Sequence, residues 1–300
     1  MNEFFQYHQD IIKQKIKNIN NSIHCSFEFF PPKNTSLETK LWLTIDKLSI
    51  LKPKFFSVTY GANSGERKKT YDIVKQINKK TGIITAAHLT CINSTPSKLK
   101  EIAKHYWNNG IKNIIALRGD TKEKNYKHTM YAVDLVRLLK RIANFDISVA
   151  AYPELHPESK NIKLDMINLK KKIDAGANRA ITQFFFNVDH YLYFRENCIK
   201  YGITAEIIPG ILPISDFKQL KRFLSMTNVQ IPKWMFEIFS GLDDNDRFTQ
   251  KVIGCTIAID MIQKLSSEGV KNFHFYTLNQ SDISYSVCHI LGLSCGLSCF

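Results

Sequence analysis

The chain has 300 residues, long enough for one barrel-sized domain with extensions, and 44% hydrophobic against 23% charged residues is an ordinary globular balance. The formal net charge of +14 is spread along the chain with no RNA-binding motif, zinc-ligand spacing or strong basic arm, which argues against a nucleic-acid partner and leaves compositional drift or attraction of acidic ligands. No stretch approaches the roughly 18 apolar residues of a membrane span, so a soluble cytoplasmic protein with no membrane partner is expected.

The first residues, 1–22, mix charge and apolar side chains at helical spacing and predict a helical extension. Short apolar, β-branched and aromatic runs then recur, each followed by a polar loop and a helical pattern. They are residues 24–30 (HCSFEFF), 55–61 (FFSVTYG), 83–90 (IITAAHLT), 113–120 (NIIALRGD), 147–154 (ISVAAYPE), 179–186 (RAITQFFF), 205–213 (AEIIPGILP) and 271–279 (KNFHFYTLN). Between them, Ser36–Leu51 carries helical periodicity, and Thr95-Pro96 reads as a cap with proline in the first turn. Patterns over 161–175 and 189–201 stop at Gly176 and Gly202, and 215–269 is long enough for more than one helix.

Eight strand–helix units predict an α/β fold, a closed parallel (β/α)₈ TIM barrel over 23–292. An open doubly wound sheet would carry a glycine-rich phosphate loop after its first strand. Here that strand runs into Phe29-Phe30-Pro31-Pro32, and prolines have no N–H to offer a phosphate. Residues 293–300 read as a disordered tail. The seven cysteines are scattered and odd in number, so free thiols are expected and no metal site; Cys295 and Cys299 would supply only two ligands.

In a barrel of this kind the chemistry sits at the C-terminal strand ends, where this chain places Glu28, Tyr60, His88, Asp120, Tyr152 with Glu154, Gln183 and Asn279 with Gln280. Strand ends are also polar simply because loops are wet. Glu28 lies among three phenylalanines, so desolvation is expected to raise its pKa and suit it to general-acid work; a solvated or lysine-paired carboxylate is the other reading. Thr59 and Tyr60 can meet a ring, or belong to a plain turn. His88 alone is more often a hydrogen-bonded rim residue than a catalyst. Arg118 suits a phosphate, Gly119 permits close backbone approach, and Asp120 can face a polarised heterocycle, although an Arg–Asp loop bridge is common. Lys171 and Lys172 by themselves read as a solvated helix face.

Taken together and in order, FEFFPPK, VTYGANSGER, HLTC, YWNNGIKNIIALRGD, AAYPELHPE, LKKKIDAGANRAITQFFF, IIPGILPI and KNFHFYTLN resemble the bacterial methylenetetrahydrofolate reductase family from about residue 20 to residue 292. The resemblance implies a barrel that binds FAD and uses NADH as co-substrate, reducing 5,10-methylenetetrahydrofolate to 5-methyltetrahydrofolate by a ping-pong route that supplies methionine synthesis. It implies FAD contacts from Thr59, Tyr60, Ala62, His88, Arg118, Gly119, Asp120, Tyr131, Ala132, Tyr152, His156, Ser159, Asp165, Asn168, Lys171 and Lys172. It implies folate or nicotinamide contacts from Gln183, Gln219 and Phe223, Glu28 as proton donor with Asp120 as the second catalytic residue, and a homo-oligomer, a tetramer in similar proteins. The C-terminal regulatory domain of eukaryotic relatives has no counterpart. At Gln280 the family pattern carries Arg, so any contact with the folate tail there is neutral rather than ionic. Two other readings stand: another FAD-barrel oxidoreductase such as a proline dehydrogenase relative, whose oxidised substrate needs no proton donor at Glu28, and a basic RNA-binding or scaffold protein without catalysis.

Overall fold

A computed structural model describes residues 23–60, 64–120, 130–224, 227–243 and 246–293. The expected helix over 1–22, the contact at Ala62 and residues 294–300 lie outside them. Eight strands, β1 (His24–Phe29), β2 (Phe55–Val58), β3 (Thr85–Thr90), β4 (Asn113–Leu117), β5 (Asp146–Ala151), β6 (Arg179–Phe184), β7 (Glu206–Ile211) and β8 (Asn272–Tyr276), pair in parallel in chain order. β1 also pairs with β8, so the barrel closes. The expected TIM barrel is the observed fold.

Ten helices are present among the described residues: α1 (Thr35–Ser49), α2 (Ser64–Thr81), α3 (Pro96–Asn108), α4 (Ala132–Ile142), α5 (Ile162–Asp174), α6 (Val188–Lys200), α7 (Phe217–Leu224), α8 (Lys233–Phe239), α9 (Arg247–Ser267) and α10 (Asp282–Ile290). Local chemistry sets their ends. Asn34, Thr95 and Asn161 accept from the backbone N–H groups of Leu37, Lys98 and Leu164, which caps α1, α3 and α5. Gly176 and Gly202 follow α5 and α6 with positive φ, as their positions in the sequence imply. The stretch 215–269 holds α7, α8 and α9, so the insertion between β7 and β8 is helical.

Strand alternation sorts the core into two shells. Phe27, Phe29, Phe56, Phe273 and Phe275 are buried in the shell shared with helix residues such as Leu41, Ile45 and Val287. Ala86, Ile115, Ile181 and Ile208 form a separate cluster with Phe55 and Leu117, the packed interior of the barrel. Every sequence run except the third overshoots its strand at the C-terminal end, by one to three residues. Apolar and aromatic character continues after pairing stops, and the overshoot is where Tyr60, Arg118, Gly119, Asp120, Tyr152, Glu154 and Asn279 stand.

The five described cysteines are free: Cys25, Cys91, Cys198 and Cys288 are buried and Cys255 is half-buried. Burial pushes the Cys91 and Cys198 thiols up to about 11 and about 12, which makes them poor nucleophiles. No helix among the described residues is long and apolar enough to cross a membrane.

Candidate active site

Glu28 is the centre of the barrel mouth. Its neighbours Phe27 and Phe29 point to the opposite face of β1, which sends the Glu28 side chain inward with only 8% of the residue exposed. There His88 Nε2 on β3 lies 3.2 Å from Glu28 Oε2, and His274 Nε2 on β8 lies 3.7 Å from the same oxygen. Neither nitrogen makes an aligned hydrogen bond, so the contacts are electrostatic. Thr277 Oγ1 donates to the Glu28 carbonyl at 2.6 Å, and Asn279 closes the β1–β8 seam by bonding both the N–H and the C=O of Phe30 at 2.9 Å.

This corrects the expected electrostatics of Glu28. Burial does push the carboxyl up, but that burial comes from the barrel interior and not from the flanking phenylalanines. It is outweighed by the charges that His88 and His274 carry when protonated, which hold the carboxyl at about 2. Burial in turn drives His274 down, against the pull of Glu28. A charged His274 is therefore disfavoured, and a neutral one removes its share of the force that holds Glu28 low.

The β4 and β5 ends form a second cluster. The Arg118 guanidinium forks onto both carboxylate oxygens of Glu158, with Nη2 to Oε1 at 2.7 Å. Arg118 is pushed up by that bond, against burial. Asp120 is exposed, and its charge acts on Arg118 and Tyr152. Gly119 has φ +90°, and a Cβ there would stand 2.4 Å from the Ile92 side chain, so this glycine is required by the β3 loop packed against it. The Tyr152 ring meets His156 edge-on at 4.6 Å, and burial raises the Tyr152 phenol well above its usual range. Asp165 accepts from the His156 N–H at 3.0 Å. Burial pushes Asp165 up and His156 down. Lys172 turns inward to donate from Nζ to the Ala150 carbonyl at 2.5 Å, and burial brings it down to about 8 despite Asp165 nearby. Ser159 bonds the Asn161 carbonyl at 3.1 Å beside the start of α5.

The remaining expected residues divide. Thr59 and Tyr60 are half-buried at the end of β2, while Tyr131 is exposed just before Ala132 opens α4. Asn168 and Lys171 are exposed on α5, so Lys171 has the solvated character of an ordinary helix face and Lys172 does not. Gln183 is half-buried at the end of β6, its Oε1 taken by the Phe184 N–H at 3.1 Å. Gln219 and Phe223 are half-buried on α7, and Gln280 is half-buried in the turn after β8.

Three features escaped sequence reading. His274 and its partner Ser26 lie inside the barrel, and Glu154 ties the insertion to the mouth. The Glu154 side chain, 6% exposed, pairs with His190 Nδ1 at 2.8 Å and accepts from the Gln230 N–H at 2.6 Å. It thus pins the segment that follows α7, the helix bearing Gln219 and Phe223. Glu154→Ala leaves the Gln230 N–H without this acceptor and is expected to cost about 1–3 kcal/mol. Hydrogen exchange checks it: protection should fall over 217–232 first, and uniform loss across the barrel would contradict a local clamp.

The residues on the β4–β5 side suit a phosphate-bearing cofactor. Arg118 already grips a planar pair of carboxylate oxygens with its two-pronged face, the geometry that also receives two phosphate oxygens. Lys172 adds a buried cation beside it.

Residues 12–292 match the model of the family described as methylenetetrahydrofolate reductase. A 5,10-methylenetetrahydrofolate reductase from Buchnera aphidicola subsp. Acyrthosiphon pisum is 74% identical over 98% of this chain and 100% of that protein. The Escherichia coli protein of the same name is 58% identical over 99% of this chain and 100% of its own length. An Arabidopsis thaliana protein named methylenetetrahydrofolate reductase (NADH) 1 is 33% identical over 89% of this chain and 48% of its own length. Among solved structures, an uncharacterized Clostridium thermocellum protein that binds two copies of 5-methyl-5,6,7,8-tetrahydrofolic acid superposes with TM-score 0.62 at 15% identity, covering 93% of this chain and 97% of that one, and shares the fold. With the family match running through the whole barrel and close relatives aligned end to end, the chain belongs to the methylenetetrahydrofolate reductase family.

Proposed function

We propose that the chain reduces 5,10-methylenetetrahydrofolate to 5-methyltetrahydrofolate with NADH as donor and FAD as carrier, by a ping-pong route that supplies methyl groups for methionine synthesis. The observation that carries this reading is the single buried carboxyl at the barrel mouth, Glu28, held between two imidazoles and set apart from the Arg118–Lys172 side. The Arabidopsis relative's name supports NADH as the donor. Bound FAD supplies two-electron transfer, taking hydride from NADH and delivering it to the folate carbon.

The chain's own residues do the rest. Arg118 and Lys172 would hold the pyrophosphate. Thr59, Tyr60, Ala62, His88, Gly119, Tyr131, Ala132, Tyr152, His156, Ser159, Asp165, Asn168 and Lys171 would complete the cofactor contacts, and Gln183, Gln219, Phe223 and Gln280 would meet the substrates. Glu28 gives its proton to the folate nitrogen as the carbon–nitrogen bond of the five-membered ring breaks. The remaining nitrogen then forms the iminium that accepts hydride, and water returns the proton to Glu28. The protein would be a cytoplasmic homo-oligomer, a tetramer by resemblance, with one catalytic domain over 23–292.

Asp120 places a negative charge on the cofactor side. Asp120→Asn is expected to raise the midpoint potential of bound FAD and to slow the folate step more than the NADH step, because a fixed negative charge disfavours added electrons. Anaerobic redox titration measures it, and an unchanged or lowered potential would remove Asp120 from the cofactor's surroundings. The activity itself is tested by loading the purified protein with FAD, adding NADH and 5,10-methylenetetrahydrofolate, and following 5-methyltetrahydrofolate by mass spectrometry. Product formation that requires both FAD and NADH is expected. Failure to bind flavin points to the scaffold reading, and oxidation of proline in place of folate reduction points to the other oxidoreductase.

A further inference from the structure

The acid role proposed above asks Glu28 to hold a proton beside two imidazoles, and the barrel interior contains the groups that decide whether it does. Ser26 and Glu28 are two residues apart on β1, so both face inward, and Ser26 is the register partner of His274 on β8. His274 is fully buried. Its Nδ1 lies 2.7 Å from Ser26 Oγ and its Nε2 lies 3.7 Å from Glu28 Oε2. Phe55 stacks on the ring at 5.5 Å and 17°, and Tyr276 meets it edge-on at 5.5 Å, which fixes its plane.

A serine hydroxyl has one proton to give. Ser26 Oγ has the Phe273 carbonyl as its acceptor at 3.3 Å. With the proton directed there, Ser26 can only accept from the imidazole, and His274 must carry its hydrogen on Nδ1. A neutral imidazole has one N–H, so Nε2 then presents a lone pair to Glu28. A lone pair repels a carboxylate oxygen and accepts from a carboxylic acid O–H. The opposite tautomer would donate from Nε2 and favour the ionised carboxylate.

We propose that Ser26 and His274 form a positioning pair that locks the Nδ1–H tautomer, so that the Nε2 lone pair keeps a proton on Glu28 for the folate step. Burial, which lowers His274, keeps the ring in the neutral form that this requires. The other groups facing the pair come from three strands. His88 on β3 approaches the same Glu28 oxygen, Tyr276 on β8 is a phenol raised well out of the working range, and Ser57 on β2 and Phe55 carry no charge. His88 is thus the one other proton-exchanging neighbour, and it touches Glu28 from the side away from Ser26.

The inference rests on the proposed reading of Glu28 as the acid, and its test separates the two. In FAD-loaded protein with ¹⁵N-labelled histidine, the His274 signals, assigned by their loss in His274→Phe, should show hydrogen on Nδ1 and none on Nε2. Hydrogen on Nε2, or on both nitrogens, near neutral pH overturns the lock. In Ser26→Ala the Nδ1–H loses its partner, and the ring should turn to the Nε2–H tautomer that favours ionised Glu28. The alkaline limb of the folate half-reaction should then move down by about one pH unit, the size of one hydrogen bond lost to a single protonation state, while the NADH half-reaction keeps its profile. Ser26→Thr, which restores the hydroxyl, should bring the limb back. A limb that stays in place or moves up contradicts the lock. Wild-type protein that reduces no methylenetetrahydrofolate instead defeats the activity, and the histidine spectrum still reports the tautomer.

Discussion

Glu28→Gln is expected to retain FAD binding and the NADH half-reaction while losing about 10²-fold to 10⁴-fold in the folate half-reaction, the usual range for general-acid catalysis. The difference between the steps follows from their chemistry. Hydride leaves a carbon of NADH without any heteroatom gaining a proton. The folate carbon accepts hydride only after its ring opens, and an amine leaves poorly until it is protonated. Glu28 is the carboxyl available for this at the mouth centre, 8% exposed and in contact with His88 and His274. Glutamine keeps the shape and one hydrogen-bonding oxygen but has no proton of comparable acidity. Stopped-flow measurement of the two half-reactions separately is the check. Equal slowing of both would make Glu28 a residue that shapes the pocket, and no slowing of either would assign the proton to another group.

Gly210→Ala is expected to destabilise the fold by about 3 kcal/mol, at the upper end for overpacking a core position. An added Cβ would stand 2.2 Å from the Thr182 carbonyl oxygen and 2.6 Å from the Tyr276 ring. The first neighbour is backbone on β6 and cannot withdraw without opening the strand pair. The second is held there because the Tyr276 hydroxyl donates to that same carbonyl at 2.7 Å. Gly210 also donates its N–H to Thr182 Oγ1 at 2.9 Å, so the methyl enters where β6, β7 and β8 are already cross-bonded. Denaturant unfolding should show a lower midpoint with an unchanged slope. A midpoint within experimental scatter of the wild type would mean that β7 has room to shift.

The barrel was legible because its signals are local and repeated. Each of the eight runs in the sequence contains one observed strand, and Asn34, Thr95, Gly176 and Gly202 mark helix ends by capping chemistry that acts within a few residues. The candidate site was legible only where it lies at strand ends. His274 was hidden inside KNFHFYTLN, where it passes for one more ring in an aromatic strand. Its signal is alternation: Asn272, His274 and Tyr276 share one face and Phe273 and Phe275 the other, as Ser26 and Glu28 do against Phe27 and Phe29. The same alternation explains the misjudged surroundings of Glu28, whose sequence neighbours face away from it. Glu154 and Glu158 could not be assigned from sequence, because their partners His190, Gln230 and Arg118 are 36, 76 and 40 residues away and only barrel closure brings them together.

The most direct measurement runs the proposed reaction backward. Purified protein loaded with FAD is mixed with 5-methyltetrahydrofolate in the absence of oxygen and of NADH, and the flavin absorbance is followed. Bleaching that depends on 5-methyltetrahydrofolate and is abolished in Glu28→Gln is the expected result, because the carboxylate must take back the proton as the ring closes. Flavin that binds and bleaches with NADH but not with 5-methyltetrahydrofolate would contradict folate as the substrate of this site.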